Sequence, residues 1–281
     1  MRRSILRAVV LVAVCATSGF AQVKKSAVPA DFRVSVALKE TTTNQGTSAE
    51  WLAYKGRVLE IIDGRHELIL IDPAARRVEL LDLDRKRIAR ISFSRLDAEL
   101  SAHKKRLQRT VDKLSGSSER AKKLNAAKTA DLLNPAGDWT YDAKTHTLRR
   151  DGTTSEVTAT GIPDEDAARL ELFRLSMVYL IKLDSYRAPE KLPPFVQLQA
   201  IDALVKTHRL RPSEMSLLFR LNGPPIRFRW THEMTPSLTA KDVELWTKLE
   251  NFLKTAQLVD LDAYDRAARD PKTRRLPPAG R

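Results

Sequence analysis

The segment ELILID, residues 67–72, carries apolar side chains on both faces of a single extended strand. Successive side chains of a β-strand point to opposite faces, so Leu68 and Leu70 share one face. Ile69 and Ile71 share the other. A sheet that is apolar on both faces must be covered on both, because an uncovered face would expose hydrocarbon to water. We therefore predict two covering layers, of which the second is either more protein or a bound apolar ligand.

The preceding strand has the same two-faced character, and this defines a candidate ligand groove. If a ligand supplies the second layer, it is apolar or amphipathic, as a lipid is, because the surface it would meet is aliphatic. The predicted lining of the groove is Leu59, Ile61, Leu68, Ile69, Leu70 and Ile71.

Hydrophobic periodicity along the chain predicts an α+β fold. Residues 33–39 alternate apolar and polar side chains, and similar short runs predict strands at 54–62, 66–71, 78–83 and 88–93. These strands are expected to form a curved antiparallel meander against which helices pack. A half-barrel is one form that such a sheet can take.

Helices are predicted where apolar residues recur every three or four positions. A narrow apolar stripe with Ser94 as N-cap indicates two basic helices within 94–128, whereas 164–186 is apolar around most of its circumference and is expected to be buried. The remaining predicted elements are hairpins at 138–160 and 216–231 and helices at 195–206 and 241–256, the last capped by Thr239.

The first 21 residues predict export. Arg2, Arg3 and Arg7 form a basic start, the apolar run at 5–16 is too short to span a bilayer, and small residues near Ala21 offer a cleavage position. Lipidation at Cys15 is the alternative, although Val14 stands where a lipobox favours a small residue. Cleavage after Ala21 would leave no cysteine and therefore neither a disulfide nor a thiol nucleophile.

These features predict one folded domain between a leader and a tail, with no transmembrane helix in the mature chain. The predicted divisions are a signal peptide at 1–21, a flexible lead-in at 22–31, an α+β domain at 32–266 and a disordered basic tail at 267–281. Within the domain, they are a β-meander at 32–93, a basic helical segment at 94–135 and mixed hairpins and helices at 136–266.

The charge balance predicts an anionic partner. The chain has a formal net charge of +14 and a pI near 10.0. Residues 94–128 contain ten Lys or Arg against four Asp or Glu. Lipid head groups and acidic envelope polymers fit this charge, and export argues against nucleic acid. The candidate anion contacts are Lys104, Lys105, Arg109, Arg220, Arg227 and Arg229, with a solvated helix face and an ordinary sheet exterior as the alternatives.

The sequence contains no recognisable catalytic, metal or cofactor motif. Its five histidines are scattered, and neither a nucleophile elbow nor a phosphate-binding glycine loop is present. Asp82 and Asp84 share one face of a strand near Asp72, which leaves a hydrolase as a remote alternative. The three basic residues at 85–87 would neutralise these carboxylates, which favours solvation of a strand end. We therefore expect a non-enzymatic protein without a cofactor or metal.

Two resemblances bear on this interpretation. The glycine turn at Gly64, the apolar strand ending in Asp72-Pro73 and the strand returning from Val78 resemble the meander of periplasmic lipoprotein carriers. That resemblance covers about residues 54–93 and implies a curved sheet that shelters acyl chains. Over more of the chain, LPPFVQLQAIDALVKTHRLRPSEMSL together with the meander resembles an uncharacterised family of exported bacterial proteins, which implies no known activity.

The sequence thus leads to two main functional hypotheses. The first is an exported binding protein that holds a lipid-like ligand in the meander. The second is a basic protein of the cell envelope that contacts anionic surfaces.

Overall fold

The computed structural model describes residues 31–41, 43–135, 139–189, 192–220 and 224–269. The predicted signal peptide, Cys15, almost all of the lead-in and the tail beyond Arg269 lie outside these residues.

One twelve-stranded sheet organises the described residues. The strands are β1 (Phe32–Glu40), β2 (Gln45–Tyr54), β3 (Arg57–Ile62), β4 (Glu67–Asp72), β5 (Arg77–Asp82), β6 (Arg87–Ser92), β7 (Thr140–Asp142), β8 (Thr147–Asp151), β9 (Ser155–Pro163), β10 (Leu210–Phe219), β11 (Ile226–Thr235) and β12 (Gln257–Val259). Their order across the sheet is β12-β6-β5-β4-β3-β2-β1-β11-β10-β9-β8-β7. The short edge strand β12 runs parallel to β6, and every other pair is antiparallel. The predicted α+β fold with a curved sheet is confirmed, and the sheet is open.

Six α-helices accompany the sheet in the described part of the chain. They are α1 (Phe93–Ser115), α2 (Arg120–Leu133), α3 (Ala167–Arg187), α4 (Phe195–Asp202), α5 (Ala240–Thr255) and α6 (Leu261–Arg269), and a π-helical turn at Ala203–Thr207 continues α4. Ser92 caps α1 by accepting a hydrogen bond from the Arg95 backbone amide, two residues before the predicted cap. Thr239 caps α5 as predicted, and it forms a reciprocal capping box with Asp242.

Three hairpin turns share one device, in which an aspartate opens the turn and a residue with positive φ lies four positions later. The pairs are Asp72 with Arg76, Asp82 with Lys86 and Asp142 with His146. Each aspartate accepts a 2.9 Å hydrogen bond from a backbone amide inside its own turn. These carboxylates therefore shape the chain reversals that set the register of the strands.

Helix α3 covers the inner face of the sheet. Phe173 is fully buried in the main core, where its ring centroid lies 5.5 Å from that of Trp51 on β2. Ile69, Ile71 and Leu80 belong to the same core and are almost completely buried. The long apolar helix therefore provides the first covering layer that the sequence predicts.

Helix α5 covers the outer face over strands β2 to β6. Trp246 and Leu249 pack on six buried sheet residues, which are Leu52, Leu59, Leu68, Leu70, Leu81 and Ile88. Two ion pairs join the helix to the sheet, since Arg33 lies 3.3 Å from Asp242 in the first turn and Arg57 lies 3.0 Å from Glu250 in the second half. The second covering layer is therefore protein, and the outer face beyond β2 is polar.

Several boundaries differ from the sequence prediction. The predicted strand at 54–62 begins later, as β3 at Arg57, because Lys55 and Gly56 both have positive φ and reverse the chain between β2 and β3. Strand β2 (Gln45–Tyr54) is absent from the sequence prediction, which assigns no strand between residues 40 and 53. Strand β10 begins at Leu210, earlier than predicted, and continues through a bulge near Pro212. Helix α6 continues to Arg269, past the predicted boundary at 267.

Candidate functional site

The structure divides the predicted groove residues between the two faces of the sheet. Leu59, Leu68 and Leu70 are buried beneath α5, and Ile61 packs against the same cluster. Ile69 and Ile71 lie in the main core beneath α3. Uptake of a lipid-like ligand stays a prediction, and on the outer face it would require displacement of α5.

The three predicted anion contacts on β10 and β11 share the outer polar face. Arg220 forms an ion pair with Glu156, and Arg229 lies 2.8 Å from Glu214. Arg227 is exposed between them. Two of the three charges are thus compensated locally, which weakens this face as an anion site.

The three predicted contacts on α1 differ in exposure. Lys104 is half-buried, with its ammonium 5.4 Å from the ring centroid of Phe195. Lys105 and Arg109 are exposed one turn apart. Only the latter two are therefore presented fully to a partner.

Lys105 and Arg109 belong to a larger basic surface on the hairpin of α1 and α2, which we call the basic hairpin (residues 104–128). It contains nine Lys or Arg and two Asp or Glu. One of those acids, Glu119, pairs with Lys122. The exposed bases with no carboxylate partner among the described residues are Lys105, Arg106, Arg109, Lys113, Arg120 and Lys123. The opposite side of the hairpin is fixed by packing, with Val111, Ala126, Leu133 and Phe195 buried together.

The candidate aspartates do not share a site. Asp82 is buried and paired with Arg85 at 2.6 Å, whereas Asp84 is exposed and lies 3.4 Å from His66. Asp72 is engaged with its own turn. Among the described residues, no three His, Cys, Asp or Glu side chains are grouped closely enough to hold a metal ion.

A cleft of about 350 Å³ lies at the end of the sheet away from β12, where β7 to β10 meet the start of α3. No pattern in the sequence predicts this cleft. Its lining residues are Tyr141, His146, Pro163, Asp164, Glu165, His208, Arg209 and Leu210.

Aromatic contacts organise the polar side chains of this cleft. The rings of Tyr141 and His208 stack with centroids 3.7 Å apart and planes 16° apart. The Tyr141 hydroxyl lies 3.1 Å from His146 Nδ1, within hydrogen-bonding distance. Tyr141 therefore links two histidines that lie 62 positions apart in the sequence.

The back wall of the cleft is electrostatically balanced. Asp164 is buried and accepts two hydrogen bonds from Arg169, from Nε at 3.0 Å and from Nη2 at 2.6 Å. Arg211 Nε lies 3.8 Å from the same carboxylate. The remaining lining charges are Glu165 and Arg209, both of which are exposed.

The inner face of the sheet contains a titratable carboxyl outside the cleft. Burial raises the pKa of Glu60 to about 7, and the hydrogen bond of 3.0 Å from Trp51 Nε1 opposes that shift only in part. Burial also lowers the pKa of His232 to about 4. Burial keeps the Glu60 carboxyl neutral up to a higher pH and the His232 imidazole neutral down to a lower pH. Their contributions to stability therefore change with pH in opposite directions, since that of Glu60 falls as the pH rises and that of His232 falls as the pH drops.

We expect Glu60→Gln to become more stable relative to the wild type as the pH rises from 4.5 to about 7. In this window the unfolded wild type has released the Glu60 proton while the folded state retains it, so wild-type stability falls with rising pH. The expected difference approaches about 3 kcal/mol. Urea unfolding at both ends of the window measures it, with Glu233→Gln on the exposed face as the control. A difference that does not change with pH would contradict the assignment.

Comparisons with known proteins give no family assignment. No family model matches the chain, and a search of curated proteins finds no match. In the part of the chain that the structure describes, no helix combines the length and apolarity needed to cross a bilayer.

Proposed function

We propose that this protein is an exported, non-enzymatic binding protein of the cell envelope that contacts an anionic phospholipid surface through the basic hairpin. The observation that carries the proposal is the set of six exposed Lys and Arg side chains at 105–123 that have no carboxylate partner among the described residues. Two exposed arginines on the outer face of the sheet, Arg220 and Arg229, are by contrast paired with glutamates. The basic hairpin therefore presents a dense group of unpaired positive charges on one element.

The packing of the hairpin supports a role in surface contact. Its apolar side is occupied by the cluster of Val111, Ala126 and Leu133, so the charged side can meet a surface without rearrangement of the fold. Leu124 is exposed to 53% on α2 among these charges and could enter the head-group region. Each Lys or Arg near an anionic leaflet contributes about 1 kcal/mol at moderate ionic strength.

The position of α5 favours this proposal over uptake of a lipid-like ligand. The outer apolar patch is buried by Trp246 and Leu249, which are themselves exposed by no more than 3%. A ligand would have to replace these contacts with equivalent ones, whereas a surface contact at the basic hairpin leaves the core intact.

We expect binding to vesicles of phosphatidylcholine with phosphatidylglycerol, and no measurable binding to phosphatidylcholine alone. Affinity should fall at least about tenfold between about 0.05 M and about 0.5 M NaCl, because the screening length shortens to a few ångströms. Co-sedimentation with the purified chain lacking residues 1–21 measures both effects. Binding that is unchanged by salt would contradict the proposal. Binding to soluble acidic polymers but not to vesicles would also contradict it, and would show that the anionic partner is a polymer and not a phospholipid surface.

A further inference from the structure

The cleft lined by Tyr141, His146 and His208 is a built feature of the fold. Strand β7 and its turn supply Tyr141 and His146, and the segment after the π-helical turn supplies His208 and Arg209. More than 60 residues separate the two segments, including all of α3 and α4. Their meeting at one cleft is a product of the tertiary structure.

The backbone at His208 and Arg209 is irregular in two ways. The π-helical turn Ala203–Thr207 ends directly before His208, and such turns are rare and frequently found at functional sites. Arg209 then has a φ of 55°. The other five non-glycine residues with positive φ in the described part of the chain lie in hairpin turns, where the reversal of the chain explains them. Arg209 follows the π-helical turn, at the position where a left-handed residue commonly ends a helix, and its backbone amide donates to the Val205 carbonyl at 3.2 Å.

The conformation of this segment presents two nitrogen-bearing side chains at the cleft. Arg209 is exposed and has no ion-pair partner among the described residues, and the His208 ring is held by its stack on Tyr141. His146 adds a third nitrogen-bearing group, oriented by the Tyr141 hydroxyl. Asp164 does not oppose an incoming anion strongly, since Arg169 and Arg211 flank its carboxylate. Glu165 is then the one uncompensated carboxylate in the described lining.

The walls of the cleft are partly apolar. Pro163, Leu210 and the Tyr141 ring give it hydrocarbon and aromatic surface beside the basic groups. Ligand sites commonly combine such walls with a few convergent polar groups. A guanidinium pairs best with a planar or tetrahedral oxyanion through charge-assisted hydrogen bonds.

We infer that this cleft binds a small organic oxyanion, a carboxylate or phosphate on an apolar body, with Arg209 and His208 as its anchors. The inference does not depend on the proposed function, because it concerns a different element and a small ligand.

The test is a titration of the chain lacking residues 1–21, labelled at histidine and followed by NMR at neutral pH. The probes are benzoate and phenyl phosphate, with benzamide and benzylamine as neutral and cationic analogues. We expect saturable shifts of the His146 and His208 signals at about millimolar concentration with one or both anions, and none for His66 or His103. Saturation with benzoate alone assigns a carboxylate, and saturation with phenyl phosphate alone assigns a phosphate.

Arg209→Gln should weaken binding of the anion at least about tenfold, whereas Arg227→Gln, which removes an equal charge from the outer face of the sheet, should leave it unchanged. His208→Phe keeps an aromatic partner for Tyr141 and removes both nitrogens, so it tests the anchor if Arg209→Gln fails to fold. Three results would overturn the inference: no saturable shift with either anion, equal binding of benzylamine, or equal losses in Arg209→Gln and Arg227→Gln.

Discussion

Leu70→Asp is expected to prevent stable folding, or to lower the free energy of unfolding by more than about 4 kcal/mol. Leu70 is exposed to 1% and lies beneath α5 with Trp246 and Leu249. The substitution removes the burial of a leucine and places a carboxylate among aliphatic and aromatic side chains, none of which carries a charge. Neither effect can be relieved by rotation of the side chain, because the pleat fixes its direction.

Urea unfolding followed by tryptophan fluorescence measures this effect, because Trp246 and Trp51 report on the two faces of the sheet. Leu258→Asp is the matched control, since Leu258 is exposed to 55% on the edge strand β12 and should change stability by less than about 0.5 kcal/mol. A Leu70→Asp protein with wild-type stability would mean that α5 lifts from the sheet at little cost. That result would favour the predicted ligand groove, since a ligand could then replace α5 over Leu59, Leu68 and Leu70.

Arg150→Met is expected to lower the free energy of unfolding by about 3–5 kcal/mol, because it breaks a buried ion pair from one side. Arg150 is exposed to 1% although it lies on β8. Its guanidinium donates to Asp131 on α2 and to the Ser155 hydroxyl at 2.9 Å. Asp131 also accepts a 2.9 Å hydrogen bond from the Thr154 backbone amide, so the pair joins α2 to the β8–β9 hairpin.

The double variant Arg150→Met, Asp131→Leu should recover a substantial part of that loss, because it leaves no uncompensated charge. Arg149→Met is the control for the single variant, since Arg149 is the next residue along the strand and points to solvent. Thermal unfolding measures all three variants. Equal effects of Arg149→Met and Arg150→Met would contradict the role of the buried pair.

The sequence predicts the class of this fold because the informative patterns are local. Alternation and apolar runs locate most strands, and the two-faced character of 67–72 correctly requires covering layers on both sides. The sequence prediction places no turn at Lys55-Gly56 because it assigns no strand directly before Tyr54, although Gly56 is itself a turn signal. The start of β10 was missed because Pro212 is typical of a strand end or bulge.

The identity of the second covering layer is a tertiary property that no local pattern contains. The helix at 241–256 was predicted with its cap at Thr239, but its sequence does not specify which sheet face its apolar stripe meets. The structure places Trp246 over Leu59 and Leu70, residues that lie more than 170 positions earlier. The histidines of the cleft are a similar case, because their spacing in the sequence contains no sign that Tyr141 joins them.

The basic hairpin was found from sequence because charge density is a property of composition. The structure shows which of its positive charges are exposed and free to contact a partner. Lys104 rests on Phe195, and Lys122 is paired with Glu119, whereas Lys105, Arg109 and Lys113 are exposed at intervals of four residues along α1. Residues four apart lie on one side of a helix, so these three form a continuous contact line.

The most direct test of the proposed surface contact measures how two triple variants bind anionic vesicles at low salt. Each variant reverses three positive charges. Lys105→Glu, Arg109→Glu and Lys113→Glu together reverse the contact line, and Lys241→Glu, Lys254→Glu and Arg227→Glu reverse three exposed charges elsewhere. We predict that the first triple variant loses at least about 100-fold in affinity and that the second loses less than about threefold. Equal losses in the two variants, or unchanged binding in the first, would contradict a specific role for the basic hairpin.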